Sequence, residues 1–377
     1  MIVGAHPSTK GAVGQYRITQ PLTKLDEDDN DHICAVRDEN LPAPLWDVMS
    51  HKFDVFVYQY PQLQPQLDHI KFMSSDPNTL TVVEIDDDVW NMDARQENYE
   101  YFGTKEVKIN GKWLYKDGKD GWDLKKNQER MGILAACLIE ADLVTVTTPE
   151  LKEIITKHLK SAGKENPQIA VLPNSVALEH YDPVELVKDE LRIMWSGGHG
   201  HRHDLREVVK PLKEVIKKHN VKIVFAGNSW PEIEKELGKE NLIVNKAWTG
   251  FDAHPYRLKL LGADIAIAPL TDVPFNHAKS EIKFVEASSL QIPTVASPTV
   301  YSKVIEHEKT GFIADSEDAW VEHLSRLLED AELRKTIGAN ARKFVEKHRD
   351  ANKTKDLWIE AYDKALKRKK TPSLIKP

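Results

Sequence analysis

Asp264–Ser297 reads DIAIAPLTDVPFNHAKSEIKFVEASSLQIPTVAS, and its punctuation decides the fold. An apolar, strand-like run opens it. A loop follows from Pro269 to Ala278, a helical pattern starts near Lys279, and Ile292 to Ala296 reads as a second buried strand. Strand, loop, helix and strand in that order form a parallel α/β unit. A helix start at the carboxyl end of a parallel strand favours anions, because its free N–H groups and dipole point outward. Lys279 and Lys283 in that turn suit a phosphate. Glu286, further along the helix, suits a pair of sugar hydroxyls, and Asn276, His277 and Ser280 stand beside them.

The same alternation extends outward in both directions. Upstream, strand patterns at Leu191–Trp195, Lys222–Ala226 and Leu242–Val244 alternate with helical ones at Asp204–His219 and Pro231–Leu237. Downstream, helices are expected over Ser316–Glu329, Ala331–His348 and Asn352–Lys369. The first half repeats the scheme. Strand runs fall at Ile2–Ala5, His32–Val36, Phe53–Tyr58, Leu80–Ile85, Asp142–Val146 and Ile169–Leu172, with helices at Gln64–Met73, Leu124–Glu140 and Thr148–Leu159. The pattern lapses between Pro173 and Lys188, the best linker candidate. The expectation is an α/β protein with two doubly wound, Rossmann-like domains facing a cleft. They would span residues 1–180 and 188–350, with helix 352–370 packing back on the first. Residues 93–123 break the alternation and read as an inserted hairpin or loop.

Composition sets the outer limits. A length of 377 residues, 41 % of them apolar, supports two cores. No apolar run approaches the ~20 residues of a membrane span, and the start MIVGAHPS reads as a strand rather than a signal peptide. Cys34 and Cys137 sit in apolar segments, as core residues of a cytoplasmic protein would. A net charge of −7 excludes a general polyanion binder, although local basic surfaces such as KALKRKK near the C-terminus remain.

Three further stretches carry candidate chemistry. WSGGHGHRHDL follows a strand and opens a helix: Gly197 and Gly198 permit close backbone approach to phosphate, and His201 and Arg202 are cationic donors for it. The alternating His199, His201 and His203 also suggest a metal cluster, but Asp204 follows them in the wrong order for a metallo-β-lactamase signature. VVEIDDDVW places Glu84, Asp86, Asp87 and Asp88 at a strand's carboxyl end, suited to hydroxyl recognition or to charge stabilisation at a reacting centre. In STKGAVGQYR, Gly14 shapes an acceptor-side loop, and Arg17 is a candidate for holding a phosphate or an acidic group of a ligand. Asn174, in VLPNS, reads as a turn former.

Taken together, GAVGQYRITQPL, TVVEIDDDVW, ADLVTVTTPEL, VLPNSV, the SGG…HDL loop, the opening stretch and TGFIA resemble retaining glycosyltransferases of GT-B architecture. The family 4-like group, with members in bacterial polysaccharide loci and in phages, is the one matched. The resemblance covers most of Met1 to about Lys347 but not the insert at 93–123. It implies that Glu286 binds the donor's ribose as the second glutamate of an E-x7-E signature. The first glutamate would fall at Ala278, so half of that signature is missing. It implies that His201, Arg202, Lys279 and Lys283 grip the diphosphate, and that Asp86, Asp87 or Asp88 acts near the transferred sugar.

The implied reaction moves a sugar from a nucleotide diphosphate-sugar, with UDP the expected carrier, to an acceptor hydroxyl with retention. It needs no metal or other cofactor, since helix N-termini and cationic side chains neutralise the leaving diphosphate. The acceptor is a carbohydrate or, in a rival reading, a hydroxymethylated base of phage DNA. The Lys-rich and Trp-bearing insert KEVKINGKWLYKDGKDGWDLKK suits stacking on bases in that rival. A sugar-nucleotide 2-epimerase and a non-catalytic sugar-nucleotide binder share the same expected fold.

Overall fold

The computed structural model of the protein describes residues 1–27, 32–37, 52–184, 186–245 and 250–371. Strands β1 (Ile2–His6), β2 (Ile33–Val36), β3 (Val55–Gln59), β4 (Leu80–Ile85), β7 (Leu143–Val146) and β8 (Ile169–Val171) form one parallel sheet in the order β2-β1-β3-β4-β7-β8. β3 and β4 are buried along their whole length, as strands covered by helices on both faces must be. The short strands β5 (Val107–Ile109) and β6 (Lys112–Tyr115) pair only with each other, antiparallel, so the insert is a hairpin.

The second parallel sheet contains β9 (Leu191–Gly197), β10 (Val221–Gly227), β11 (Leu242–Asn245), β12 (Ile265–Ala268), β13 (Thr294–Ala296) and β14 (Phe312–Ile313), in the order β11-β10-β9-β12-β13-β14. In each sheet the strand order reverses beside the first strand of that half, and the crevice at that switch point is where such folds bind ligands. The expected linker crosses between the sheets with residue 185 outside the described residues, and it is not the only crossing. The chain returns at Asp350, where Val176 N–H donates to Arg349 O (2.9 Å) and Ala351 N–H to Val176 O (2.8 Å). The helix Asp356–Lys370 then lays Trp358, Tyr362 and Leu366 against Val3, Ala5 and Leu80 of the first sheet.

One ion pair is sealed in that first core. Arg17 and Glu84 are each 1 % exposed. The guanidinium grips the carboxylate through Nε (2.7 Å) and Nη2 (3.0 Å), and its Nη1 donates to Leu172 O and to Asn174 Oδ1. Thr145 donates to Glu84 Oε2, and Trp358 of the returning helix lies under the guanidinium at 5.7 Å. Burial raises the Glu84 carboxyl and Arg17 opposes that rise. Arg17 was expected to face a ligand. Its own fold consumes it instead, with four hydrogen bonds made to Glu84 and to the end of the first domain.

The helix expected from near Lys279 forms as Ile282–Ser289, and a short helix, Pro274–His277, forms within the stretch expected as a loop. The residues between the two helices bond to the opposite domain. The Thr148 hydroxyl donates to Ala278 O (2.8 Å), and the Asn174 amide donates to Ser280 Oγ (2.8 Å).

Candidate functional site

The acidic end of β4 is buttressed from β3. Tyr60, just past β3, holds a left-handed backbone (φ 47°), a conformation that costs about 1–3 kcal/mol for such a residue. It thereby brings its hydroxyl under the DDD turn. That hydroxyl donates to Asp86 Oδ1 (2.7 Å) and accepts from the N–H groups of Asp86 (3.1 Å) and Asp87 (2.8 Å). Burial, with Asp87 beside it, pushes the Asp86 carboxyl up to about 7. Asp87 instead points across the cleft, with both oxygens 3.1 and 3.2 Å from Lys279 Nζ. Asp88 turns inward, fully buried, and accepts from the Asn91 amide (2.7 Å). The three aspartates read together in the sequence therefore face three ways, and only Asp86 and Asp87 belong to the cleft.

Opposite them, a carboxylate, an imidazole and an ammonium stand in line. Asp204 Oδ1 accepts from Asn276 Nδ2 (2.8 Å) and from Thr271 N–H (2.9 Å), while Oδ2 lies 2.7 Å from His201 Nδ1. Burial raises the Asp204 carboxyl, but His201, the Thr271 N–H and nearby Lys283 hold it well below the usual carboxylate range, at about 2. Burial and the adjacent Lys283 push the His201 imidazole down to about 4, so it is neutral near pH 7. The network then fixes its tautomer: Nδ1–H donates to Asp204, and Nε2 accepts from Lys283 Nζ at 3.0 Å. Among the described residues, this neutral nitrogen is the one hydrogen-bond partner of Lys283. Burial and Lys279 together lower its ammonium to about 8, against the opposing pull of Asp204, Glu286 and Asp87. An ammonium that bonds no carboxylate directly favours an anion.

One turn along the same helix, Glu286 is buried to 7 % exposure. Tyr16, from the glycine loop of the first domain, donates to its Oε1, and His254 Nε2 lies 2.9 Å from the same oxygen. Burial alone would raise the carboxyl, but His254 and the two hydrogen bonds carry it below its ordinary value. Gly14 is what lets that loop close, since a Cβ there would sit 1.8 Å from Thr9 O.

The remaining expected residues divide. Gly197 ends β9 against the Trp195 ring, and Gly198 opens the short turn carrying His199–His201. Asn276 is fully buried and serves Asp204, and Ser280 meets Asn174 across the cleft. His277 is on the rim with Asp272 (2.6 Å). Arg202 does not enter the pocket: the helix Arg202–Arg206 turns it outward, where Nε donates to Glu232 (2.7 Å). The three alternating histidines diverge as well, His199 binding Asn228 (2.6 Å) while His201 faces Lys283. Among the described residues no three His, Cys, Asp or Glu side chains converge as metal ligands would. Sequence reasoning missed Tyr16, Tyr60, Thr148, Asp204 and His254. Tyr16 and Asp204 lie inside motifs already singled out, but nothing in the spacing marks Tyr60 or His254.

Comparison with known proteins agrees with this geometry. Residues 183–344 match the family model described as Glycosyl transferases group 1, which covers the second domain. Glycosyltransferase 1 domain-containing protein 1 of Xenopus tropicalis is 26 % identical over 239 residues, 58 % of this chain and 66 % of that protein, just short of two thirds of its length. Among solved structures, Anabaena HepE in complex with UDP-glucose aligns over 97 % of this chain and 100 % of its own, with a TM-score of 0.63 at 13 % identity. Sucrose-phosphate synthase from Thermosynechococcus elongatus aligns over 97 % and 99 %, with a TM-score of 0.59 at 15 % identity. These likenesses establish the fold as GT-B. No helix among the described residues is long and apolar enough to cross a membrane.

Proposed function

We propose that the protein transfers a sugar from a nucleotide diphosphate-sugar to an acceptor hydroxyl, with retention of configuration. The observation that carries this reading is the helix Ile282–Ser289, which bears Lys283 near its start and buried Glu286 one turn on. An anion seat and a hydroxyl acceptor then sit one helical turn apart, the separation of a diphosphate from the ribose it is attached to. Both observed bonds to Glu286 fall on Oε1, which leaves Oε2 for the ribose. Lys283, aligned by neutral His201, and Lys279 take the diphosphate. UDP is the assigned carrier, in line with the UDP-glucose bound by Anabaena HepE.

The chemistry follows from that seating. The acceptor oxygen bonds to the anomeric carbon as the bond from that carbon to the phosphate oxygen breaks. The acceptor's proton passes to the departing phosphate oxygen, and the nucleoside diphosphate is released. Lysines and helix N–H groups stabilise the charge gained by the leaving group. Asp87 lies where the acceptor side meets the donor side, and arrival of the diphosphate at Lys279 frees it from that ammonium. The assigned acceptor is a carbohydrate hydroxyl.

A thermal-shift screen of nucleotide diphosphate-sugars tests this. A UDP-sugar should stabilise the protein, Glu286→Ala should abolish that shift, and a chelator should leave it unchanged. Nuclear magnetic resonance of the product should show the donor's anomeric configuration. Stabilisation by Zn²⁺ but by no nucleotide sugar would sink the reading. An epimerised nucleotide-sugar, with no nucleotide released in the presence of an acceptor, would move it to the 2-epimerase class.

A further inference from the structure

The hairpin β5–β6 belongs to neither sheet and to no part of the site above. Its turn, Asn110 (φ 48°) and Gly111 (φ 78°), has both central residues left-handed, the type I′ geometry that joins two strands tightly. A two-stranded ribbon alone is marginal in water. This one is anchored at its root, where Tyr115 packs on Tyr99 (4.8 Å) and Trp122 (5.6 Å). Beyond the root it carries large apolar side chains that the fold does not cover: Ile109 is 39 % exposed, Trp113 38 % and Leu114 44 %.

Charge says what such a surface meets. From Lys105 to Lys116 there are four lysines against one acid, Glu106, although the chain as a whole is at −7. Glu106 turns back to the root and accepts from the Asp117 N–H (3.0 Å). Lys108 and Lys116 place their ammonium groups over the Trp113 ring at 5.3 and 5.8 Å. A basic ribbon with an aromatic suggests phosphates, which nucleic acid and anionic lipid both offer. The details divide the two. A base stacks on an open π-face, whereas the Trp113 ring already carries two ammonium groups. Leu114 and Ile109 offer no π-face at all. Aliphatic side chains and a tryptophan ringed by lysines do suit the interface of a bilayer, where apolar groups enter below the headgroups and lysines meet the phosphates.

We infer that this hairpin docks the protein on an anionic phospholipid surface, with Ile109, Trp113 and Leu114 entering the interface and Lys108, Lys112 and Lys116 meeting lipid phosphates. The ribbon stands beside the cleft. Its root helix Tyr99–Phe102 follows Glu97, which reaches the second domain at His199 (3.1 Å) and Trp230 (3.4 Å). Docking there would bring the cleft mouth to acceptors carried in a membrane. The inference does not need the transferase reading, and the two can fail separately.

Co-sedimentation of the full chain with vesicles decides it. Binding is expected to phosphatidylcholine vesicles containing phosphatidylglycerol, to weaken steeply with added salt, and to be absent on phosphatidylcholine alone. The double variant W113A/L114A should bind at least about tenfold more weakly. Lys108→Glu with Lys112→Glu should abolish binding. All four side chains lie on the exposed ribbon, so the variants should unfold at the wild-type temperature, which a melt verifies. As a second readout, brominated phosphatidylcholine in the mixed vesicles should quench tryptophan emission in the wild type more than in Trp113→Phe. Undiminished binding by the double variant would overturn the inference. So would no vesicle binding at all, or a gel shift of single-stranded DNA lost in the same variants without vesicle binding, which would return the hairpin to nucleic acid.

Discussion

The protein buries two ionic clusters, and they differ in what is left over. In the first domain, the Arg17 donors and Glu84 acceptors are matched to each other, to Thr145, to Asn174 and to a carbonyl at the end of the domain. At the cleft, Asp204 is equally satisfied, but among the described residues the chain of bonds ends on Lys283 without a carboxylate bonded to it, and Glu286 keeps an oxygen without an observed bond. A saturated buried network fixes structure, because any change leaves a charge alone. An unsaturated one keeps its capacity for a ligand. Burial and charge are alike in the two places; unspent bonding capacity is what distinguishes a site from a strut.

Breaking each cluster should therefore produce different losses. The largest effect is expected for Glu84→Ala, which strands the Arg17 guanidinium in a dry core and should cost about 3–5 kcal/mol of stability. Urea unfolding measures it, and a loss below about 1 kcal/mol would show that water reaches the pair. The cleft counterpart, Lys283→Ala, removes a half-buried ammonium that hydrogen-bonds no carboxylate among the described residues. Its stability should hold, while donor affinity should fall by about ten- to a hundredfold, the worth of a charge-assisted contact. Titration calorimetry with a UDP-sugar reads the second number, and the two variants should not exchange phenotypes.

The same contrast explains what the sequence disclosed. The alternation of strands and helices was legible because parallel strands buried on both faces, such as Val55–Gln59 and Leu80–Ile85, are near-continuous apolar runs. Lys283 and Glu286 could be paired in advance because helical spacing puts them on neighbouring turns. Arg17 and Glu84 could not be told apart from ligand-binding residues, because spacing does not show that two distant charges will cancel. Asp86, Asp87 and Asp88 looked equivalent, since the Tyr60 hydroxyl that sorts them depends on a left-handed residue that nothing local announces. The bonds that Thr148 and Asn174 make to Ala278 and Ser280 were hidden for a related reason: their partners lie in the other domain, beyond the reach of local spacing.

Acidity sharpens the comparison further. Lys283 titrates at about 8 in the donor-free protein, so raising pH through that value discharges the anion seat. Donor affinity should fall by up to about tenfold per pH unit above it, and Lys283→Met should flatten the profile. Stability should respond at the other end. His201 titrates at about 4 against an ordinary 6.5, and the unfolded chain binds the extra proton in between. Stability from this group is thus present above 6.5 and lost as pH falls toward 4. Asp204, at about 2 against 3.8, adds a second loss in the same direction below 3.8. Thermal melts across that range should show both in the wild type, whereas His201→Gln should remove the upper one and shrink the lower one, because His201 is the main group that holds Asp204 down.

The smallest effect is expected at Arg202, which the sequence placed on the diphosphate and the fold places outside. Its side chain is 54 % exposed and is spent on Glu232, itself 40 % exposed. Exposed pairs of this kind contribute about 0–1 kcal/mol. Arg202→Ala should therefore leave donor affinity within about twofold and stability within about 0.5 kcal/mol. Measured beside Lys283→Ala, it separates two cations that flank His201, one next to it in the chain and one bonded to its Nε2, by orientation alone. If Arg202→Ala instead weakens donor binding tenfold, the short helix Arg202–Arg206 must rotate when the ligand arrives, and the arginine joins the lysines at the diphosphate.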